Sequence, residues 1–383
     1  MTPYQTRANR LSPLTPAHAQ QVERWLGPEK IAQLQDAMRG WYGRPICLLD
    51  VPGSLWITKD GDFVGYVNAS KFSSAADYLF ERLKRYYAEL SKPQYGYCNA
   101  GFASLSDALL RASQGYRQRR SFYKTGSTGV VAVTNSLWRL GSQPAAGATP
   151  AAAPGGTAQS SSTTGALSFN NPASGTLHLT GADITASVVG NCLLMYDLLF
   201  GVAKTMASTA TEAVTGVPTR YQSTTSTDED YIGDNFGFIQ VGGTALAATG
   251  HNWTTCLYTD QGNASSTLPS VTGNSGAIVD RLDQPTSQWF VPLASGDIGM
   301  KAWTQMQCSA SVATGVIWFM LGHPIGFHTM PVANMATPFN WLTNRDPAPR
   351  VFDSACLAFL EITKPATTAT NYSGNIQFTN AAA

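Results

Sequence analysis

Ionised side chains are scarce in this chain of 383 residues. Asp, Glu, Lys and Arg make up 13% of it, about half the share of a typical soluble domain. The shortage is local. Residues 1–125 carry 17 Lys/Arg and 10 Asp/Glu, whereas residues 126–383 carry only 8 and 14. A lone soluble protein stays dispersed largely through surface charge. The second region must therefore rely on hydroxyls and amides, or be covered by other protein, since interface centres are themselves poor in charge. An extracellular Ser/Thr-rich adhesin shares this composition.

Other absences narrow the class further. No apolar run reaches the roughly 18 residues of a membrane-spanning helix; "VATGVIWFMLGHPIGF" is interrupted by Gly, His and Pro. The stretch "MTPYQTRANRLSPLTPAH" lacks an apolar centre, so no secretory signal is expected and synthesis in a cytoplasm is. Cys47, Cys98, Cys192, Cys256, Cys308 and Cys356 form no CxxC pair and lie at long, irregular intervals. Free buried thiols are expected from them. The repeats of a long fibre are missing as well.

What is present divides into three parts: an α+β attachment domain over 1–122, an extended connector over 123–165 and a mainly-β body over 166–383. In the first, 17–39, 73–90 and "SLSDALLRASQGY" carry helical periodicity, and Asp60-Gly61 between alternating residues marks a hairpin. The basic, aromatic stretch before Lys124 reads as helical. Within the connector, "GSQPAAGATPAAAPGGTAQSSSTTG" (141–165) is low in complexity; if it is ordered, neighbouring chains are expected to hold it. From 166 onward, strand-like runs recur between turn residues: "TLHLTGADIT", "NCLLMYDLLFGV", "FGFIQVG", "NWTTCLYTDQ", "QWFVPL", "KAWTQMQCSAS", "TGVIWFML", "CLAFLEI" and "NYSGNIQF". About eight such runs without helical periodicity predict an antiparallel, jelly-roll-like β-sandwich.

Three groupings invite chemistry and fall short of it. Ser275 in "TGNSGAIVD", with His251 and Asp260 upstream, has the residue types of a hydrolytic triad. Asn-Ser-Gly is also an ordinary turn, and no catalytic residue is assigned. His323 and His328 lack the helical spacing and the Glu of a zinc motif. Asp228, Glu229, Asp230 and Asp234 form the densest acidic cluster, but their spacing matches no calcium loop. No metal or cofactor is expected. The basic segment Arg111, Arg117, Arg119, Arg120 and Lys124, mixed with Phe122 and Tyr123, fits an acidic protein surface or nucleic acid. Its five charges in 14 residues are far from an extended nucleic-acid footprint. Arg117, Arg119, Arg120, Phe122, Tyr123 and Lys124 are therefore read as a protein-docking set.

Several stretches resemble virion structural proteins of tailed bacteriophages: "NCLLMYDLLFGVAKTMASTATEAVTGVPTRYQS", "NWTTCLYTDQGNASSTLPSVTGNSGAIVDRL", "PLASGDIGMKAWTQMQCSASVATG" and "FLEITKPATTATNYSGNIQF", together with "RRSFYKTGS" and "GVVAVTNSLWRLGSQPAAGA". The likeness covers roughly 117–380. It implies a non-enzymatic particle component with a β-rich body, made in the bacterial cytoplasm and located in the virion. A capsid-associated decoration or cement protein is the first expectation, bound to capsid or other virion proteins and to its own copies as a symmetric oligomer. A tail or receptor-binding component, touching host glycan through loops and exposed Trp253 or Trp289, is the second. An enzyme such as a cell-wall hydrolase is the third, and no convergent site supports it.

Overall fold

The computed structural model describes residues 56–59, 62–66, 110, 111, 113, 117–126, 128, 131–223, 235–285, 288–340, 348–362 and 368–381. The chain divides into two compact units, Met1–Pro93 and Gln94–Ala383. In the first, β1 (Trp56–Lys59) and β2 (Asp62–Tyr66) pair antiparallel, with Lys59 opposite Asp62, where the hairpin is expected. The helices expected at 17–39 and 73–90 lie outside the described residues. Of the third, Leu110, Arg111 and Ser113 are described, and they are helical.

The second unit begins with β3 (Arg117–Thr125), β4 (Asn135–Ser136), β5 (Ser142–Gln143), β6 (Thr157–Ala158), β7 (Leu177–Ala186), β8 (Asn191–Thr205), β9 (Glu212–Ala213) and β10 (Phe236–Val241). It continues with β11 (Asn252–Trp253), β12 (Leu257–Asp260), β13 (Ser265–Thr267), β14 (Val271–Thr272) and β15 (Met300–Met306). The last strands are β16 (Val316–Met330), β17 (Thr337–Asn340), β18 (Arg350–Val351), β19 (Leu357–Ile362) and β20 (Asn371–Asn380). All the strand pairs are antiparallel, and the fold is a mainly-β, jelly-roll-like sandwich.

A central sheet in the order β10-β16-β8-β19-β4, with β6 also on β8, is apolar on both faces. This explains why β8 and β16 read as near-continuous hydrophobic runs instead of alternating ones. On one face, Leu193, Met195 and Phe359 meet Leu179, Ile184, Ile376 and Phe378 of a second sheet, β17-β7-β20-β3-β5, with β18 on β7. Further along that face, Val202, Ile239 and Phe319 meet Tyr258 and Trp303 of a four-stranded sheet, β13-β12-β15-β9. On the other face, Leu194, Tyr196, Phe238 and Met320 pack with Trp138, Ala166 and Leu282.

The Pro/Ala/Gly/Ser-rich stretch 141–165 is ordered through pairing within this same chain. Its β5 pairs with β3 and its β6 with β8. The Gln159 amide donates to Leu199 O at 2.9 Å and Ala148 N to Thr164 O at 3.1 Å. Trp138 is the post around which it winds. The indole Nε1 donates to Ala148 O at 3.0 Å, and Gly147 lies so close that a Cβ there would stand 2.1 Å from the ring. The segment has few side chains to bury, so its order rests on backbone hydrogen bonds and on close contact with the Trp138 and Phe200 rings.

Three local readings differ from the structure. Residues 117–125 form a strand and not a helix, because exposure alternates along it and Phe122 and Lys124 both turn inward. The stretch "QWFVPL" is not a strand; Pro285 precedes it and Pro292 lies within it, and it is tied to β10 through Val291 N and Gly237 O at 2.8 Å. Conversely, β16 runs on through "GHPIGF", accommodating Pro324 where the register shifts between Pro324 and Gly326. Among the described residues the cysteines are free, with Cys192 half-buried and Cys256, Cys308 and Cys356 buried.

Candidate functional site

The low charge of the body is sharper at its surface than in its composition. Between residues 131 and 381, fifteen Asp, Glu, Lys and Arg residues are described, and only Asp353 is exposed. The others are turned inward or half-covered, where several hold the fold. Arg220 grips Asp197, Lys204 bonds Glu212, and Glu361 accepts from Tyr372 Oη at 2.8 Å and Asn135 Nδ2 at 3.2 Å. Asp260 caps its own turn by accepting from the amides of Gly262 and Ala264 at 2.7 and 2.8 Å. Among the described residues from 131 to 381, what faces outward is chiefly hydroxyl, amide and apolar surface.

The triad residue types do not converge. His251 Nε2 lies 2.8 Å from Asp283 Oδ2, and its Nδ1 lies 3.1 Å from Thr249 O. Both ring nitrogens are thus engaged, leaving none to accept a proton from Ser275, and Asp260 serves its turn elsewhere. Asp283, which sequence reading missed, is the actual hub. Its Oδ2 also accepts from Trp253 Nε1 at 2.9 Å and its Oδ1 from Asn274 N at 2.6 Å. Burial pulls the His251 pKa down, but the hydrogen bond and charge of Asp283 outweigh it and leave it raised. The cluster joins three loops and presents no nucleophile.

His323 and His328 are both buried on β16. His323 Nδ1 lies 2.6 Å from Asn235 Oδ1, and its ring stacks on Tyr221 at 3.9 Å. Burial lowers the His328 pKa, against smaller opposing effects of the Thr337 backbone and Asp183. Among the described residues, no group of three or more His, Cys, Asp or Glu is placed to hold a metal ion. The Asp228–Asp234 cluster lies outside the described residues. Trp253, expected at the surface, is fully buried.

The docking set splits between two faces of β3. Phe122 stacks on Phe359 at 4.8 Å. Lys124 Nζ donates to Leu140 O at 2.6 Å and to Ala145 O at 3.2 Å, and burial lowers its pKa to about 8. Arg117, Arg119 and Tyr123 point outward, and Arg120 is half-buried. Rows of half-buried and exposed side chains run across β7, β20 and β3: Thr185–Ser373–Tyr123, Asp183–Asn375–Ser121 and Gln377–Arg119, the last continuing to buried Gly181. Ser121 Oγ donates to Asn375 Oδ1 at 2.8 Å, and Gln377 Nε2 to Asp183 Oδ2 at 3.3 Å. The result is a grid of hydroxyls and amides around the Asp183 carboxylate, with a tyrosine ring and two arginines at its border.

A second outward feature is aromatic. Trp289 is half-buried, with ring centroids 4.7 Å from Phe236, 4.8 Å from Phe290 and 5.3 Å from Phe327. Phe290 and Phe327 are 43% and 44% exposed.

No protein-family model matches the chain, and no curated protein matches it. Among solved structures, the chain is similar to VP1 of trichodysplasia spinulosa-associated polyomavirus, in complex with 3'-sialyllactose. The identity is 11%, over 70% of this chain and 96% of that one, with a TM-score of 0.17. It is also similar to a structure of infectious bursal disease virus, Gx strain, at 7% identity over 69% of this chain and 79% of that one, with a TM-score of 0.15. At these values neither likeness carries an argument about function.

Proposed function

We propose that this chain is a non-catalytic structural protein of a virion, acting through protein–protein contacts, with its body covered by neighbouring protein. One observation carries the reading: of the fifteen described Asp, Glu, Lys and Arg residues between 131 and 381, Asp353 alone is exposed. A surface so neutral suits burial against another neutral surface, where no ion has to be stripped of water. The resemblance of residues 117–380 to tailed-phage particle components points the same way. Within this reading the preferred role is a capsid-associated cement, which stabilises a shell by binding only its assembled form. Docking falls to Arg117, Arg119, Arg120 and Tyr123, because Phe122 and Lys124 are internal. Residues 1–122 are assigned to attachment.

A second reading, a receptor-binding component, is favoured by the polar grid on β7, β20 and β3. Amides and hydroxyls in register beside the Tyr123 ring match the needs of a glycan, whose hydroxyls want hydrogen bonds and whose ring faces stack on aromatics. Virus particles purified from the source on a density gradient test both. The chain is expected to co-sediment with them, at high copy number for a cement and low copy number for a receptor-binding part. Its absence from particles overturns both readings.

A further inference from the structure

Trp289, Phe290 and Phe327 end a continuous series of rings. Tyr196, Phe238 and Phe236 lie within 5.7 Å of one another, centroid to centroid, on the central sheet. Trp289 packs against Phe236, and Phe290 and Phe327 bring the series to the surface. The patch is preorganised. Phe327 sits on β16, opposite Leu194 of β8. The stretch bearing Trp289 and Phe290 is tied to β10 by Val291 N to Gly237 O. It is anchored again by buried Gln284, which accepts from Ile239 N at 3.1 Å and donates to Gln288 O at 3.1 Å. Rigid aromatic anchors lose little freedom on docking.

The neighbourhood also selects the occupant. Among the described residues, the acidic groups nearest in sequence to Trp289 and Phe290 are already engaged. Asp283 is held by His251, Trp253 and Asn274, and Asp297 accepts from Tyr258 Oη. A partner that placed an ionised side chain against these three rings would have to strip it of water with no charge on the rings to replace it. The match is a charge-poor face, and the described surface of residues 131–381 supplies one, with Asp353 alone exposed among its Asp, Glu, Lys and Arg residues.

We propose that Trp289, Phe290 and Phe327 form the apolar centre of an interface between copies of this chain. The proposal rests on the reading of a body covered by protein and names one surface and its occupant. Sedimentation of the full chain tests it. Wild type is expected to sediment as an oligomer at micromolar concentration. Phe290→Arg is expected to weaken association about tenfold or more, and Phe290→Arg with Phe327→Arg to leave monomers. Phe290→Arg should keep the wild-type circular dichroism and melting temperature, since that side chain is exposed, and Val131→Arg, at another exposed position, should still assemble. Oligomers that persist in the folded Phe290→Arg variant with unchanged affinity overturn this interface while leaving the covered body standing. A monomeric wild type at high micromolar concentration also overturns it, and co-sedimentation with particles then decides the wider reading separately.

Discussion

Arg220 holds Asp197 through two parallel hydrogen bonds, Nε to Oδ2 at 2.7 Å and Nη2 to Oδ1 at 2.8 Å. Asp197 lies in the middle of β8 and is fully buried. Its Oδ1 also accepts from Cys356 N at 2.8 Å, and Arg220 Nη1 reaches Ser354 Oγ at 3.1 Å. The pair thus fastens the loop before β10 to the central sheet and to the start of β19.

Removing one partner leaves the other charge buried and alone. Arg220→Ala is expected to cost about 3–5 kcal/mol in urea unfolding. The double change Arg220→Met with Asp197→Leu should cost clearly less, because no orphaned charge remains. Equal losses in the two variants would show that the ion pair is not what fastens the loop.

Asp280 predicts a pH dependence of the opposite sign to that of a salt-bridged carboxylate. Burial raises its pKa from 3.8 to about 6, against a smaller lowering by Arg139. The folded state therefore favours the protonated form. Its contribution is fully present below pH 3.8 and is lost as pH rises through about 6. The penalty at neutral pH is about 3 kcal/mol. Asp280→Asn, which tolerates the local φ of 74°, should stabilise the protein at pH 7.5 and change little at pH 4. Denaturant melts at both pH values measure the difference.

The two faces of β3 separate folding from docking. Phe122→Ala is expected to destabilise the body by about 3–5 kcal/mol. Arg117→Glu and Arg119→Glu together should leave the melting temperature within a degree or two and lower incorporation into particles. Charge-reversed protein that incorporates normally removes the docking role from these arginines.

Gly147 faces the Trp138 ring with no room for a methyl group. Gly147→Ala should cost about 1–3 kcal/mol through displaced packing and open residues 141–165 to limited proteolysis. A variant as resistant as wild type would mean that Trp138 does not hold the segment.

Much of the body was legible in the residues. β7, β8, β10, β15, β16, β19 and β20 fall where apolar and β-branched runs lie between turn residues. Burial on both faces makes the central strands β8, β10, β16 and β19 conspicuous whatever they pair with. β3 was not legible, because "RQRRSFYK" has no apolar periodicity until Phe122 and Lys124 are seen to be covered. Asp283 carried no signal either; its partners come from segments around 251, 253 and 274 that only the folded chain brings together.

The chain by itself determined a β-rich body with few ionised groups, since composition and local pattern are properties of each segment alone. The tertiary structure decided where those few groups go, that Trp138 orders a segment with little to bury, and which rings reach the surface at Phe290 and Phe327. Those outcomes depend on pairings between distant strands, such as Arg119 with Gln377, and on which side chains water is left to touch after every sheet has found its cover.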